Sequence, residues 1–433
     1  MATDEDLDAF FADRDRRARE RAERRRARPL PRPRRRRSEL AHLLDAPGGR
    51  LLVGVVGAIA ALTLVGLLAL WPYGWHPHGE GPAATLPAHV AKVVDARCAD
   101  SPVRQTCRTL TVDAEGRRTT LSLGPVASAP AVSAGETVRV SRTPVAAGQT
   151  LPRGADRYAF VDVDRHGALL WMGLAIVALA LALLRWRGLL AIAGVALSLF
   201  IVLSFLVPAI LAGRPALLVA LVASLAIMFI TLVLTNGLGA QTLAAALGIS
   251  VTLALACGLA EAAVTLAHLD GKSDDLTLAL GAQTGGMSLT AVVLAAMLVG
   301  ALGVLADTAV TQASAVTALR RANPRMSVRR LHREAFAVGR DHLSATIHTL
   351  VLAYTGAALP LLLILRQSGV GVRDALNAQS IAEPIAATAV GCVALIAAVP
   401  LTTALAATLV ARIPVTTLDE ASHGHGHGHG HVH

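Results

Sequence analysis

The chain has almost no lysine. Lys92 and Lys272 are its only two, so arginine carries nearly all of the positive charge. That bias fits a GC-rich bacterial genome and has no mechanistic content of its own. Charged residues are also scarce, at 16% of 433 residues, where soluble domains carry about 25%. That shortage argues against an ordinary soluble protein. With four cysteines the chain has too few for a disulfide framework. Enzyme signatures are missing too: there is no HExxH, no GxSxG elbow and no phosphate-binding GxxxxGK[ST] loop. Catalysis is therefore not the expected role, and no cofactor can be named.

What the chain has is apolar length. Hydrophobic residues make up 54% of it, and several runs reach the 18 or more residues that cross a bilayer. The expected fold is an α-helical polytopic membrane protein with about eight transmembrane helices. The first is placed at 51–71, and the others near 168–184, 189–212, 216–235, 242–267, 284–306, 343–365 and 385–410. Pro208 suggests that the third is broken or re-entrant. The +10 net charge gathers at the N-terminus and between Arg320 and Arg340. Basic clusters mark the cytoplasmic side, so both termini are expected in the cytoplasm of a bacterial cell, with the helices in its inner membrane. Trp71, Tyr73 and Trp75 read as an interfacial aromatic belt.

Three segments fall outside this pattern. Residues 1–50 form an arginine- and proline-rich tail, expected to be disordered, that anionic lipids would attract. The bilayer is thus the expected partner, and nucleic acid is not. Residues 76–167 contain short alternating stretches such as "TCRTLTVD" and "ETVRVSR", with the hairpin signal "DAEGR". They predict a small extracytoplasmic β domain of about five strands, OB-like, between helices 1 and 2. Cys98 and Cys107 lie in it, as a disulfide in an oxidising compartment or as two free thiols. Residues 168–412 form the multi-span block. Residues 413–433 end in alternating His423, His425, His427, His429, His431 and His433, a loose chelator able to pick up Ni²⁺, Cu²⁺ or Zn²⁺ adventitiously.

Polar residues inside the membrane are the candidates for function. Asp307 sits at the inner end of the sixth run, with Thr311 and Ser314 on its helical face and Gly300 and Gly303 in a small-residue seam. Arg340, Asp341 and His342 cluster at the start of the seventh run, and His348 lies just over a turn further in. The expected arrangement is an inner polar cluster of these residues between spans 6 and 7, with His348 able to donate to Asp307. Glu261, with Thr265 and His268 on its face, is the candidate for an outer pathway.

The two inner stretches also carry a resemblance. "GALGVLADTAVTQASAV" (Gly300–Val316), the pair Asn323–Pro324 and "GRDHLSATIHTLVLAYTGAALPLLLIL" (Gly339–Leu365) resemble the YibE/F family of bacterial membrane proteins. The likeness spans roughly residues 50–412. Where the family usually has a second acidic or larger residue, this chain has Ala306; where it usually has asparagine, this chain has His348. The resemblance implies the multi-span fold and the membrane location but names no reaction or substrate. The expected function is transport or permeation of a small solute or ion. The alternatives are a membrane scaffold or sensor working through its β domain and, more remotely, a membrane-embedded hydrolase.

Overall fold

The computed structural model describes Leu44 and residues 47–75, 85–98, 105–142, 158–272 and 288–412. The arginine-rich head up to residue 43 and the histidine tail lie outside the described residues. Helix α1 spans Pro47–Leu70. A five-stranded sheet follows: β1 (Leu86–Arg97), β2 (Thr106–Ala114), β3 (Arg117–Pro125), β4 (Thr137–Arg142) and β5 (Tyr158–Val163). The remainder is helical: α2 (His166–Leu184), α3 (Trp186–Ile201), α4 (Val207–Leu211), α5 (Ala216–Asn236), α6 (Ala240–Ala267), α7 (Leu289–Ala322), α8 (Val328–Gln367), α9 (Val372–Asn377) and α10 (Gln379–Val410). Among the described residues, eight helical segments are long and apolar enough to cross a membrane.

The sheet is antiparallel throughout, in the order β3-β2-β1-β4-β5. Its alternating pattern sends Ala88, Val90, Leu110, Val112, Leu121, Val138, Val140 and Tyr158 into one small core. The "DAEGR" stretch makes the β2–β3 turn, with Glu115 and Gly116 at φ 53° and 74°. Two consecutive left-handed residues make a type I′ hairpin, which matches the twist of the strands. The sheet curls so that β3 and β5 approach each other, but no ladder joins them among the described residues. It is a half-barrel rather than a closed one.

Charges are handled at the sheet surface. Arg108 donates twice to Asp95 across the β1–β2 pair, at 2.9 Å each. That pairing holds the Asp95 carboxyl below its usual range. Glu115 accepts from Tyr158 at 2.8 Å and from Arg142, and it too is lowered, chiefly by the tyrosine hydroxyl. Cys98 and Cys107 are joined as a disulfide that closes the β1–β2 connection.

In the helical part, α6, α7 and α10 pack tightly on one another. Helices α5 and α8 lie against that trio, α1 and α3 lie against α5, and α2 touches chiefly α3. The central helices bury alanine, threonine and glycine at successive turns, which lets the backbones approach closely. A Cβ at Gly66 of α1 would meet the Val222 side chain of α5 at 2.8 Å. The run around Pro208 is not broken. A π-helical turn at Val202–Leu206 precedes the proline, so the span continues from Gly188 to Leu211. Trp71 stacks on Phe205 beside this turn, 5.7 Å between rings.

Two spans are much longer than their apolar runs. The expected ends at 306 and 343 fall inside helices: α7 has 34 residues and α8 has 40. At 1.5 Å per residue these are about 51 and 60 Å long, against a hydrocarbon core of about 30 Å. The arginine-rich stretch between those expected ends is thus mostly helix, and the chain turns only through 323–327. The Ser327 hydroxyl accepts from the Arg330 amide to cap α8. Leu331, Ala335 and Gly339 recur every fourth residue as a buried seam, so this segment is held by packing despite its charge. The Arg320 guanidinium donates to the Met326 and Ala411 carbonyls at 3.0 and 3.1 Å, tying α7, the turn and the end of α10 together.

Candidate functional site

Asp307 is the nineteenth residue of α7, about 27 Å along it. Its side chain is 67% exposed, and its Oδ2 lies 3.6 Å from Nε2 of His342 on α8. The His342 nitrogen is itself buried and makes no hydrogen bond among the described residues. The structure therefore brings Asp307 and His342 together, at ion-pair rather than hydrogen-bond distance.

The other expected members of the cluster go elsewhere. Arg340 is exposed and lies over the Phe336 ring, 6.0 Å from its centroid. Asp341 is exposed. His348 does not reach Asp307: it is exposed, and its Nδ1 lies 2.7 Å from the Ser344 carbonyl oxygen one turn back. Thr311 is half-buried. Ser314 accepts from the Gln241 amide at the start of α6, so the end of the α5–α6 turn meets α7 there. Gly300 makes room for Tyr354 of α8, whose hydroxyl a Cβ would meet at 2.9 Å. Gly303 faces open space.

The outer candidates do not enclose a path. Glu261, Thr265 and His268 all lie on an exposed face of α6. The Thr265 hydroxyl donates to the Glu261 carbonyl oxygen, and His268 is the left-handed residue that ends the helix. Just beyond, Asp270 is held below the usual carboxylate range by Gln379 and by the Lys272 amide. Among the described residues no group of three or more metal-ligating side chains occurs.

One polar set was not anticipated from the sequence. Thr308 and Gln312 are fully buried on α7, and Thr402 and Thr403 are fully buried on α10. The Thr403 hydroxyl lies 2.9 Å from Oε1 of Gln312. Among the described residues, the Gln312 Nε2, the Thr308 hydroxyl and the Thr402 hydroxyl have no partner. Two glycines make the space. A Cβ at Gly339 of α8 would stand 2.6–2.8 Å from the Gln312 amide, and one at Gly248 of α6 would stand 2.5 Å from the Thr402 hydroxyl. Each unmatched polar atom in such an interior costs about 1–3 kcal/mol. The signal available in the sequence was the buried stripe Leu305, Ala309, Ala313 and Val316. Thr308 and Gln312 flank that stripe, whereas Asp307, Thr311 and Ser314 lie on another face.

A family model described as YibE/F-like protein matches residues 172–412, more than half of the chain, and the chain belongs to that family. No curated protein and no solved structure matches it.

Proposed function

From this membership and these eight apolar helices we propose that the protein is a multi-pass permease of the bacterial inner membrane. It moves a small solute or ion, with Asp307 and His342 as its proton-responsive pair. The observation that carries the reading is the state of Asp307. A carboxylate deep along a membrane-length helix keeps two-thirds of its side chain accessible while a half-buried imidazole, its Nε2 enclosed, faces it. A pair used only to lock two helices would be closed and hydrogen-bonded. An accessible carboxylate beside a titratable imidazole suits a group that gains and loses a charge during a cycle.

The orientation follows from charge. Arginines crowd the chain ahead of α1, and Arg185 and the tip of the α7–α8 hairpin carry more. By the positive-inside rule both termini and that hairpin are cytoplasmic. The half-barrel, OB-like in strand count, then faces an oxidising exterior, where its disulfide is stable. The arginine-rich head rests against anionic lipid, and the histidine tail takes up divalent metal only loosely.

The test is a flux assay on the full chain in proteoliposomes. Vesicles holding a pH-sensitive dye receive alkali cations, divalent cations, amino acids and small carboxylates in turn, under an imposed proton gradient. The expected result is a solute-dependent change of internal pH that Asp307→Asn abolishes and His342→Gln shifts in pH optimum. A silent panel, with Asp307→Asn altering only thermal stability, overturns permeation in favour of a scaffold working through the sheet.

A further inference from the structure

We propose that Thr308, Gln312 and Thr402 supply the oxygens of a binding site for a small monovalent cation, enclosed where α6, α7, α8 and α10 meet. The site is separate from the Asp307–His342 pair and would bind its ion whether or not the protein transports it.

The sign of the ligand follows from one proton. The Thr403 hydroxyl has a single hydrogen and two neighbours: the Val399 carbonyl oxygen at 2.6 Å and Oε1 of Gln312 at 2.9 Å. The nearer carbonyl, four residues back on the same helix, takes the hydrogen, as for Thr252 and Thr317. The Thr403 oxygen can then only accept from Gln312. Amide nitrogen and oxygen are told apart by such networks alone. Satisfying this one turns the amide over: its NH₂ donates to Thr403, and its carbonyl oxygen becomes the free atom. The unpartnered set is then an amide oxygen with the hydroxyl oxygens of Thr308 and Thr402. Neither hydroxyl is tied to the preceding turn, so both leave lone pairs free.

Thr308 and Gln312 are one turn apart on the same face of α7, and Thr402 is next in sequence to the residue that binds Gln312. Gly248 and Gly339 withhold side chains where the polar groups stand. Neutral oxygens shed from water in this way suit a singly charged ion, as carbonyl filters do. Mg²⁺ and Ca²⁺ call for carboxylates, and this set contains none.

The experiment is thermal unfolding of the purified full chain in detergent, in lithium, sodium, potassium or choline chloride at one ionic strength, repeated with sodium gluconate. The expected result is a saturating rise in unfolding temperature with one alkali cation over choline, unchanged when gluconate replaces chloride. Thr308→Val and Thr402→Val each remove one oxygen at nearly constant shape, and each should weaken half-saturation by about tenfold or more. Thr402→Ser should retain the response. The wild-type protein alone can overturn the proposal. Equal behaviour in choline and every alkali cation leaves the polar set to buried water. A response that follows chloride rather than the cation restores the donor-facing amide. A cation response that survives in both valine variants places the ion elsewhere.

Discussion

Helices α2 and α10 are both strongly apolar and long enough to cross a bilayer, yet they stand at opposite extremes of packing. Helix α2 buries no residue at all, and Leu170, Trp171, Leu179 and Leu183 point outward. Half of the most apolar stretch of α10 is buried, and it contacts α6, α7 and α8. The difference is in side-chain size and not in hydropathy. Lipid tails are as apolar as leucine, so a leucine gains little by leaving them for another helix. Small residues gain close backbone contact, and polar ones gain partners. Hydropathy thus selects which segments span, and the alanines, threonines and glycines select which of them form the centre.

The sharpest way to break this contrast is to enlarge a small residue at the centre. Gly339→Leu drives a side chain into the Gln312 amide, and Gly248→Val does the same to Thr402. The expected loss is about 3–5 kcal/mol for Gly339→Leu, combining overpacking with the broken Gln312–Thr403 hydrogen bond, and about 1–3 kcal/mol for Gly248→Val by overpacking alone, read from reversible unfolding in mixed micelles. A smaller effect is expected in the half-barrel, whose small core rests on a cross-link. Cys107→Ser opens the loop closed with Cys98 and should cost about 2–3 kcal/mol on loop-closure grounds, seen as earlier proteolysis within 85–142 while the helical part stays intact. The smallest effect belongs to α2. Leu174→Ala should change stability by less than about 0.5 kcal/mol. A large loss there would mean that another surface covers α2.

How much was readable in the sequence follows the same division. All eight apolar segments were, because a run of leucine and valine has one cheap place to go. The strands were readable from alternation, and the hairpin from Glu115–Gly116. The reach of α7 and α8 was not. Arginines at 320–340 resemble a loop, and only the every-fourth-residue seam of Leu331, Ala335 and Gly339 reveals a packed helix. Within the site, Asp307 drew the eye because a carboxylate in lipid is costly. Its neighbour Thr308 and the amide of Gln312 were overlooked, since threonine and glutamine on an apolar helix look ordinary until their burial is known. His342 rather than His348 faces Asp307 because His342 lies one turn past Gly339, on the side of α8 turned toward α7. His348 lies on the exposed side.

The α7–α8 hairpin gives the molecule a lever. From the turn at 323–327 to Asp307 and His342 both helices run without a proline or a break, so each arm is stiff over that length. Its tip carries Arg325, Arg329, Arg330 and Arg333, all exposed. Whatever grips those arginines pulls on the same two rods that hold the carboxylate and the imidazole 3.6 Å apart. The tip and that gap are thus joined by two unbroken helices.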